Sequence, residues 1–432
     1  MSQSPTPLRA MTFGHIVALG INCVIGSGVF LLPGLAAEGL GPASVLAVLA
    51  AGLLIFLIAL CFAEVGSRFD GSGGAYRYAR EAFGDLVGFE VGWLAMLAGI
   101  LAWGALIDAV TVALSVFIPE VASGWPRAAV IVGVMAAFAV FNLRGVALGA
   151  RASTTFSVVK VAAMLAFVVF GTLHVDAATF SPFAPSGWGA FGGAVVLYLY
   201  AYLGFENLVV PAGEMRDPGR AVPWAVTTIM ASVTLLYVVV QTVAVGTLGA
   251  DLSGMPNAVA AAAEVVLGPV GGKFVAAGIL VSILGVNAAS AIVGPRRVSA
   301  MADDGALPRV LGKVHPTFRT PWAAIFLVYG GATLVALTGS FRELVVIAVV
   351  ARFLQYAPTC AAAIALRRQD DVPPARFLLP GGPIIPVLAL LLSTVLLLRA
   401  APIHLVFGLI AAFAGLPVWW WQKRREQARS SS

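Results

Sequence analysis

Charge is scarce in this chain: Asp, Glu, Lys and Arg make up 11% of its 432 residues, against roughly a quarter in an ordinary soluble domain. So few charges cannot clothe a water-facing surface, which excludes the soluble globular class. Histidine and cysteine are scarcer still, at four and three. His15, His174, His315 and His404 stand singly near the ends of apolar runs or in connections, and Cys23, Cys61 and Cys360 all lie inside such runs. No metal-ligand spacing and no disulfide framework result, so no metal and no other cofactor is expected. A His-Glu-x-x-His pattern, a paired-aspartate site and a long soluble region are all missing, which argues against a membrane-embedded enzyme. The first apolar run has no small-residue cleavage site after it and reads as an uncleaved span.

What the chain has in abundance is apolar surface, with 60% hydrophobic residues and a mean hydropathy of +0.97. A helix needs about 20 apolar residues to cross the hydrocarbon core of a bilayer. Runs of that order recur at approximately 14–38, 42–65, 86–117, 127–142, 153–173, 190–213, 222–248, 272–299, 321–338, 343–366, 383–399 and 402–421. The stretch 257–268, which contains Glu264, is too short and is expected to be an interfacial helix. The predicted fold class is therefore an all-α polytopic membrane protein with twelve transmembrane helices. No connection is long enough for a soluble domain, so residues 1–421 read as one transmembrane domain, followed by a cytoplasmic basic tail over 422–432.

The basic residues set an orientation. Of the 26 Lys and Arg, only Arg127, Lys273, Arg342 and Arg399 fall on the outer side if the N-terminus is cytoplasmic, and Lys160 and Arg352 fall within spans. The others, Arg296 and Arg297 among them, lie in inner segments. This bias predicts a cell-membrane protein, multi-pass, with both termini cytoplasmic. The net charge of +6 then reflects topology and contact with anionic lipid and implies no nucleic-acid partner.

Two apolar runs are interrupted at mid-depth, the first by Ile25-Gly26-Ser27-Gly28-Val29-Phe30 and the sixth by Gly204-Phe205-Glu206. Such breaks are tolerated in a bilayer only where the freed backbone faces protein or a water-filled cavity, so they mark a polar site inside the membrane. Each broken span is followed by four more. Five spans per half invert the second unit, which predicts a 5+5 inverted repeat, with repeat one at 12–173, repeat two at 190–366 and accessory helices at 383–421. One central site with alternating access describes a transporter rather than a channel, which would need a continuous polar lining.

Four motifs in order carry a family resemblance. Gly26-Ser27-Gly28-Val29-Phe30 is followed by Pro33-Gly34, and Ala63-Glu64-Val65 by Gly73-Gly74-Ala75-Tyr76 and Arg80-Glu81-Ala82-Phe83-Gly84. Gly204-Phe205-Glu206 continues into Pro211-Ala212-Gly213-Glu214, Asp217-Pro218, Arg220 and Pro223, and later comes Ala302-Asp303-Asp304-Gly305 with Leu307-Pro308. This set resembles the amino acid-polyamine-organocation (APC) family. The resemblance implies a LeuT-like fold in which spans one, two, six and seven rock against a scaffold. It also implies an amino acid substrate, with protons as a candidate coupling ion.

The breaks suggest how a zwitterion would be held. The half-helix beginning near Gly28 offers free N–H groups and a positive dipole end to a carboxylate. Gly26 and Gly28 allow close approach, and Ser27 adds a hydroxyl. Val24 and Ile25 end the preceding half. Carbonyls near Tyr200-Ala201-Tyr202-Leu203 suit an ammonium. Tyr200 resembles the family's aromatic outer lid. By the same resemblance the wall includes Ala95, Met96 and Ile100 from span three and Asn287, Ala289 and Ser290 from span eight. Ile100 and Ala289 replace polar and aromatic residues of the arginine exchangers, which points to neutral, apolar amino acids, since a cationic side chain would find few partners. An exchanger or exporter of amino acids or polyamines could share every one of these residues.

Ionisable residues inside spans require partners or functions. Lys160 resembles the lysine that replaces sodium in several family members. It is expected to bind carbonyls of the first break and the Ser290 hydroxyl and to carry the coupled proton, the alternative being that it snorkels to the cytoplasmic face. Glu206 either responds to pH or holds the unwound backbone together. Asp108 and Arg352, at similar predicted depths, are expected to pair, either as an extracellular gate or as a static tie. Glu64 and Glu214 are expected to pair with loop arginines.

Overall fold

The computed structural model describes residues 13–69, 74–144, 150–207, 218–318, 320–398 and 402–430. In chain order the helices are α1 (Phe13–Val24), α2 (Gly28–Ala37), α3 (Ser44–Gly66), α4 (Gly74–Phe83), α5 (Asp85–Leu114), α6 (Gly124–Leu143), α7 (Ala150–Thr172) and α8 (Phe191–Ala201). Then follow α9 (Pro218–Leu248), α10 (Ala258–Asp303), α11 (Trp322–Thr338), α12 (Phe341–Ala365), α13 (Ile384–Leu397), α14 (Pro402–Phe413) and α15 (Gly415–Ser430). No strand occurs among the described residues. Among the described residues six helices, α3, α5, α6, α9, α10 and α12, are long and apolar enough to cross a membrane. Gly73, Pro211, Ala212, Gly213, Glu214 and Asp217, all named in the motifs above, lie outside the described residues.

The first apolar run is two helices. Ile25 N–H closes the last turn of α1 on Ile21 O (2.9 Å), and α2 opens with Phe30 and Leu31 N–H groups donating to Ser27 O (both 3.1 Å). The sixth run ends its helix at Ala201, turns through Gly204 (φ +112°) and continues as a short 3₁₀ segment, Phe205–Asn207. The 257–268 stretch is a helix of its own, because Gly268 (φ +73°) and Pro269 break α10 there.

The end of the chain differs from expectation. The twelfth apolar run is two helices meeting at Ala414, and α15 continues to Ser430, so the basic stretch expected as a tail forms the last turns of a helix. Lys423, Arg424 and Arg425 lie over the rings of Trp419, Trp420 and Trp421, at 4.7, 3.4 and 4.0 Å. The i, i+4 spacing brings each cation to its ring. Trp93 of α5 holds α14 by donating to Ala411 O (2.8 Å).

Buried apolar side chains form two main bodies. One joins α1, α2, α3, α8 and α9 with much of α12 and with part of α5 and the earlier part of α10; the other joins other residues of α5 and the end of α10 to α6 and α11. A polar tie holds the first body together from inside. Gln241 of α9 accepts from Tyr198 OH of α8 and donates to Ser44 Oγ of α3 (2.8 Å) and Pro33 O of α2 (3.3 Å). Replacing Gln241 with leucine leaves these buried groups unmatched, at about 1–3 kcal/mol each. The variant is expected to melt at a clearly lower temperature in detergent; an unchanged melting point would show that the tie contributes nothing.

At the far end of α3 the buried Glu64 carboxylate accepts from Arg367 Nε (2.6 Å) and Nη2, and from Leu379 N (3.0 Å). This anchors the segment after α12.

Candidate functional site

A cavity of about 130 Å³ lies on the seam between the two apolar bodies. The first body contributes Val24, Gly26, Ser27, Gly28, Tyr200, Ala201 and Leu203; Met96, Ile100, Ser290 and Arg352 complete the expected residues that line it, together with Ala95 and Ala289. The wall follows one face of α5 from Ala95 to Leu106 and one face of α10 from Val286 to Arg297. These helices run antiparallel here, since Asn287 Nδ2 donates to Leu106 O (3.1 Å) and Arg297 Nη1 to Ala95 O (3.3 Å).

The two breaks meet at the cavity. A Cβ on Gly28 would stand 2.6 Å from Ala201 Cα, so only glycine lets the start of α2 abut the end of α8. Tyr237 of α9 places its hydroxyl 3.2 Å from Val24 O and 3.0 Å from Ala201 O, the carbonyls that end α1 and α8. The N–H groups of Ser27, Gly28 and Val29 precede the first hydrogen bonds of α2, and such a helix start attracts an anion. Ser27 Oγ lies 3.3 Å from Tyr200 OH.

Tyr200 in turn stands edge-on to Phe341, the first residue of α12, at 5.9 Å. Beyond it is a second cavity of about 440 Å³, lined by Phe341, Arg342 and, on α5, Asp108, Thr111 and Val112. Along α5 the central cavity thus ends at Leu106 and the second begins at Asp108, with the Tyr200–Phe341 pair between them.

Several expected residues sit elsewhere. Ile25 and Tyr202 are buried outside the lining; the Tyr202 hydroxyl donates to Val48 O of α3 (3.2 Å). Asn287 accepts from Trp103 Nε1 (3.0 Å) and uses its amide N–H groups on Leu106 O and Ile283 O, so it positions α5 against α10 and lies outside the cavity lining. Lys160 stands behind the first break, 0% exposed. Its ammonium donates to Ile25 O (2.7 Å), Asn22 Oδ1 (2.9 Å) and Asn22 O (3.3 Å). It therefore does not snorkel. Ser290, expected as a third partner, is absent from these contacts, because three acceptors already occupy the three N–H bonds.

The expected Asp108–Arg352 pair does not form. Asp108 accepts from Arg127 Nε (2.8 Å) of α6, whose Nη2 also donates to Ala336 O and Gly339 O (2.7 and 2.8 Å). Arg352 pairs instead with Glu206 (3.1 Å). The reason is depth: Asp108 is level with Phe341, and Arg352 lies eleven residues further along α12, about 16 Å away. Glu206 also accepts from Gly204 N (2.9 Å) and Tyr356 OH (2.8 Å), so it braces the second break.

Sequence reasoning missed Asn22, Tyr237 and Arg297. Arg297, read as an inner-loop cation, lines the cavity and donates from Nη2 to Asn207 Oδ1 (2.8 Å). Its place could have been found from the helical spacing 286, 289, 290, 293, 297.

The sequence model of the family described as Amino acid permease matches residues 11–420. The chain belongs to the amino acid permease family. Relatives of this permease include the Serine/threonine exchanger SteT of Bacillus subtilis, 29% identical across 95% of this chain and 96% of the relative. The Branched-chain amino acid permease BcaP of the same organism is 28% identical, across 95% and 92%. The Methylthioribose transporter of Bacillus subtilis is 30% identical, across 90% and 87%.

Proposed function

We propose that this permease is a secondary active transporter of twelve spans and LeuT-like 5+5 architecture. In this reading it carries neutral amino acids, apolar ones included, across the cell membrane by alternating access, in sodium-independent, proton-coupled uptake. The observation that carries the reading is the junction of two helix breaks at a largely apolar cavity, with free N–H groups of α2 on one side and the carbonyl end of α8 on the other. A substrate carboxylate sits at Gly26–Gly28, its ammonium toward the end of α8, and its side chain along Met96, Ile100 and Trp103.

Cationic substrates are disfavoured because Arg297 and Arg352 line the wall and no Asp or Glu does so among the described residues. The Lys160 ammonium, bonded to the carbonyls of the first break, supports its acting in place of sodium. Tyr200 against Phe341 serves as the outer gate. Obligatory exchange is the second reading, favoured by the name of the serine/threonine relative.

Competition for a bound, labelled neutral amino acid tests the substrate class. Leucine, threonine and glutamine are expected to compete, and lysine, arginine and putrescine to need at least about a hundredfold more, the ratio that a cost of several kcal/mol for an unpaired cation implies. Stronger competition by a cation would overturn the assignment.

A further inference from the structure

The central cavity has an asymmetry of donors. At the end formed by Ala95 and Gly99 it presents Arg297, which lies in no ion pair among the described residues and makes its two hydrogen bonds to neutral acceptors, Ala95 O and Asn207 Oδ1. A guanidinium carries five N–H donors, more than these two bonds among the described residues use. The neighbouring Arg352 is 5% exposed, and its Nε is buried without a hydrogen-bond partner. The Glu206 carboxylate pairs with Arg352 and accepts from Tyr356 OH and Gly204 N. A cation facing a mostly apolar wall with no counter-charge among the described residues is costly unless a ligand supplies an acceptor.

The spacing bounds how long that ligand is. The carboxylate site at Gly26 faces Leu106, whose Cδ2 would lie 3.7 Å from a Cβ on Gly26, and Arg297 Nη1 would lie 3.8 Å from a Cβ on Gly99. Gly99 and Leu106 are seven residues apart on α5, about 10 Å along the helix. With a hydrogen bond of about 2.9 Å at each end, about 4–5 Å along the helix axis remains between the two ligand oxygens, a gap that side chains of asparagine's to glutamine's length span.

We propose that Arg297 is a specificity-determining residue that hydrogen-bonds an oxygen acceptor at the tip of the substrate's side chain, and that the preferred substrate has a polar side chain of asparagine's to glutamine's length. This rests on the amino acid reading of the cavity given above. Shorter polar side chains stop short of the guanidinium, and apolar ones of the same length leave it unmatched.

The test compares glutamine with methionine and norleucine, of similar length and without a carbonyl, as competitors against labelled leucine on the full-length protein in detergent. Glutamine is expected to bind about tenfold or more tightly than either, since a site built around a hydrogen bond rejects analogues that lack it. Arg297→Met is expected to erase that ratio, and Arg297→Lys to restore part of it. Equal or tighter binding of methionine by the unmodified protein would overturn the proposal without any variant, as would a ratio unchanged in Arg297→Met. If no amino acid binds at all, leucine included, the reading of the cavity fails rather than the role of Arg297.

Discussion

Replacing Gly28 with leucine is expected to abolish substrate binding, and the structure separates two causes. The first is contact between the half-helices, for even a methyl group at Gly28 would stand 2.6 to 2.7 Å from Ala201 Cα and Cβ. Overpacking of this kind costs typically 1–3 kcal/mol and drives α2 away from α8. The second is obstruction of the N–H groups that receive the carboxylate. Gly26→Ala isolates the second cause, because a Cβ there meets nothing closer than Leu106 Cδ2 at 3.7 Å. Gly26→Ala is expected to fold and melt like the parent yet bind substrate at least about tenfold more weakly, the equivalent of roughly 1.4 kcal/mol. Gly28→Leu is expected to insert in the membrane and lose measurable binding. Parent-like affinity in Gly26→Ala would refute the placement of the carboxylate.

Loss of the Lys160 ammonium is expected to have the next largest effect. Its three hydrogen bonds end on Asn22 and Ile25, at the point where α1 stops. Alanine there orphans those buried acceptors at about 1–3 kcal/mol each, enough to shift the geometry of the break. Lys160→Ala is expected to lose most transport and the dependence of what remains on the proton gradient. Uptake by Lys160→Ala at the parent rate and with the parent's proton dependence would remove Lys160 from the mechanism. Lys160→Met, which keeps length without charge, is expected to fold better than the alanine variant and transport no better.

What the sequence made legible were local contradictions. Glycines packed as Gly26-Ser27-Gly28 inside an apolar run contradict a continuous helix, and α1 does stop there. A lysine inside an apolar run must find acceptors, and Lys160 finds them at that break. The partners of Asp108 and Arg352 were not legible, since they depend on depth and rotation. Asp108 and Arg352 were matched by counting from the ends of runs, and that count could not register Arg127 turning back from α6. Arg297 was hidden because a basic pair at the end of an apolar run looks like a flank, whereas α10 continues six residues further, to Asp303. Tyr237 and Gln241 sit in an apolar helix with no spacing to distinguish them, and only the fold shows that they join half-helices. The basic residues over 422–432 read as a tail, while in α15 their i, i+4 register sets Lys423, Arg424 and Arg425 over Trp419, Trp420 and Trp421 in one helix.

The most direct measurement is uptake of labelled neutral amino acids into proteoliposomes in sodium-free buffer, with and without an inward proton gradient and with and without internal substrate. Concentrative uptake driven by the proton gradient alone is the predicted result. Uptake that requires internal substrate would replace coupled uptake with exchange, and failure to move any amino acid under every condition would contradict the account.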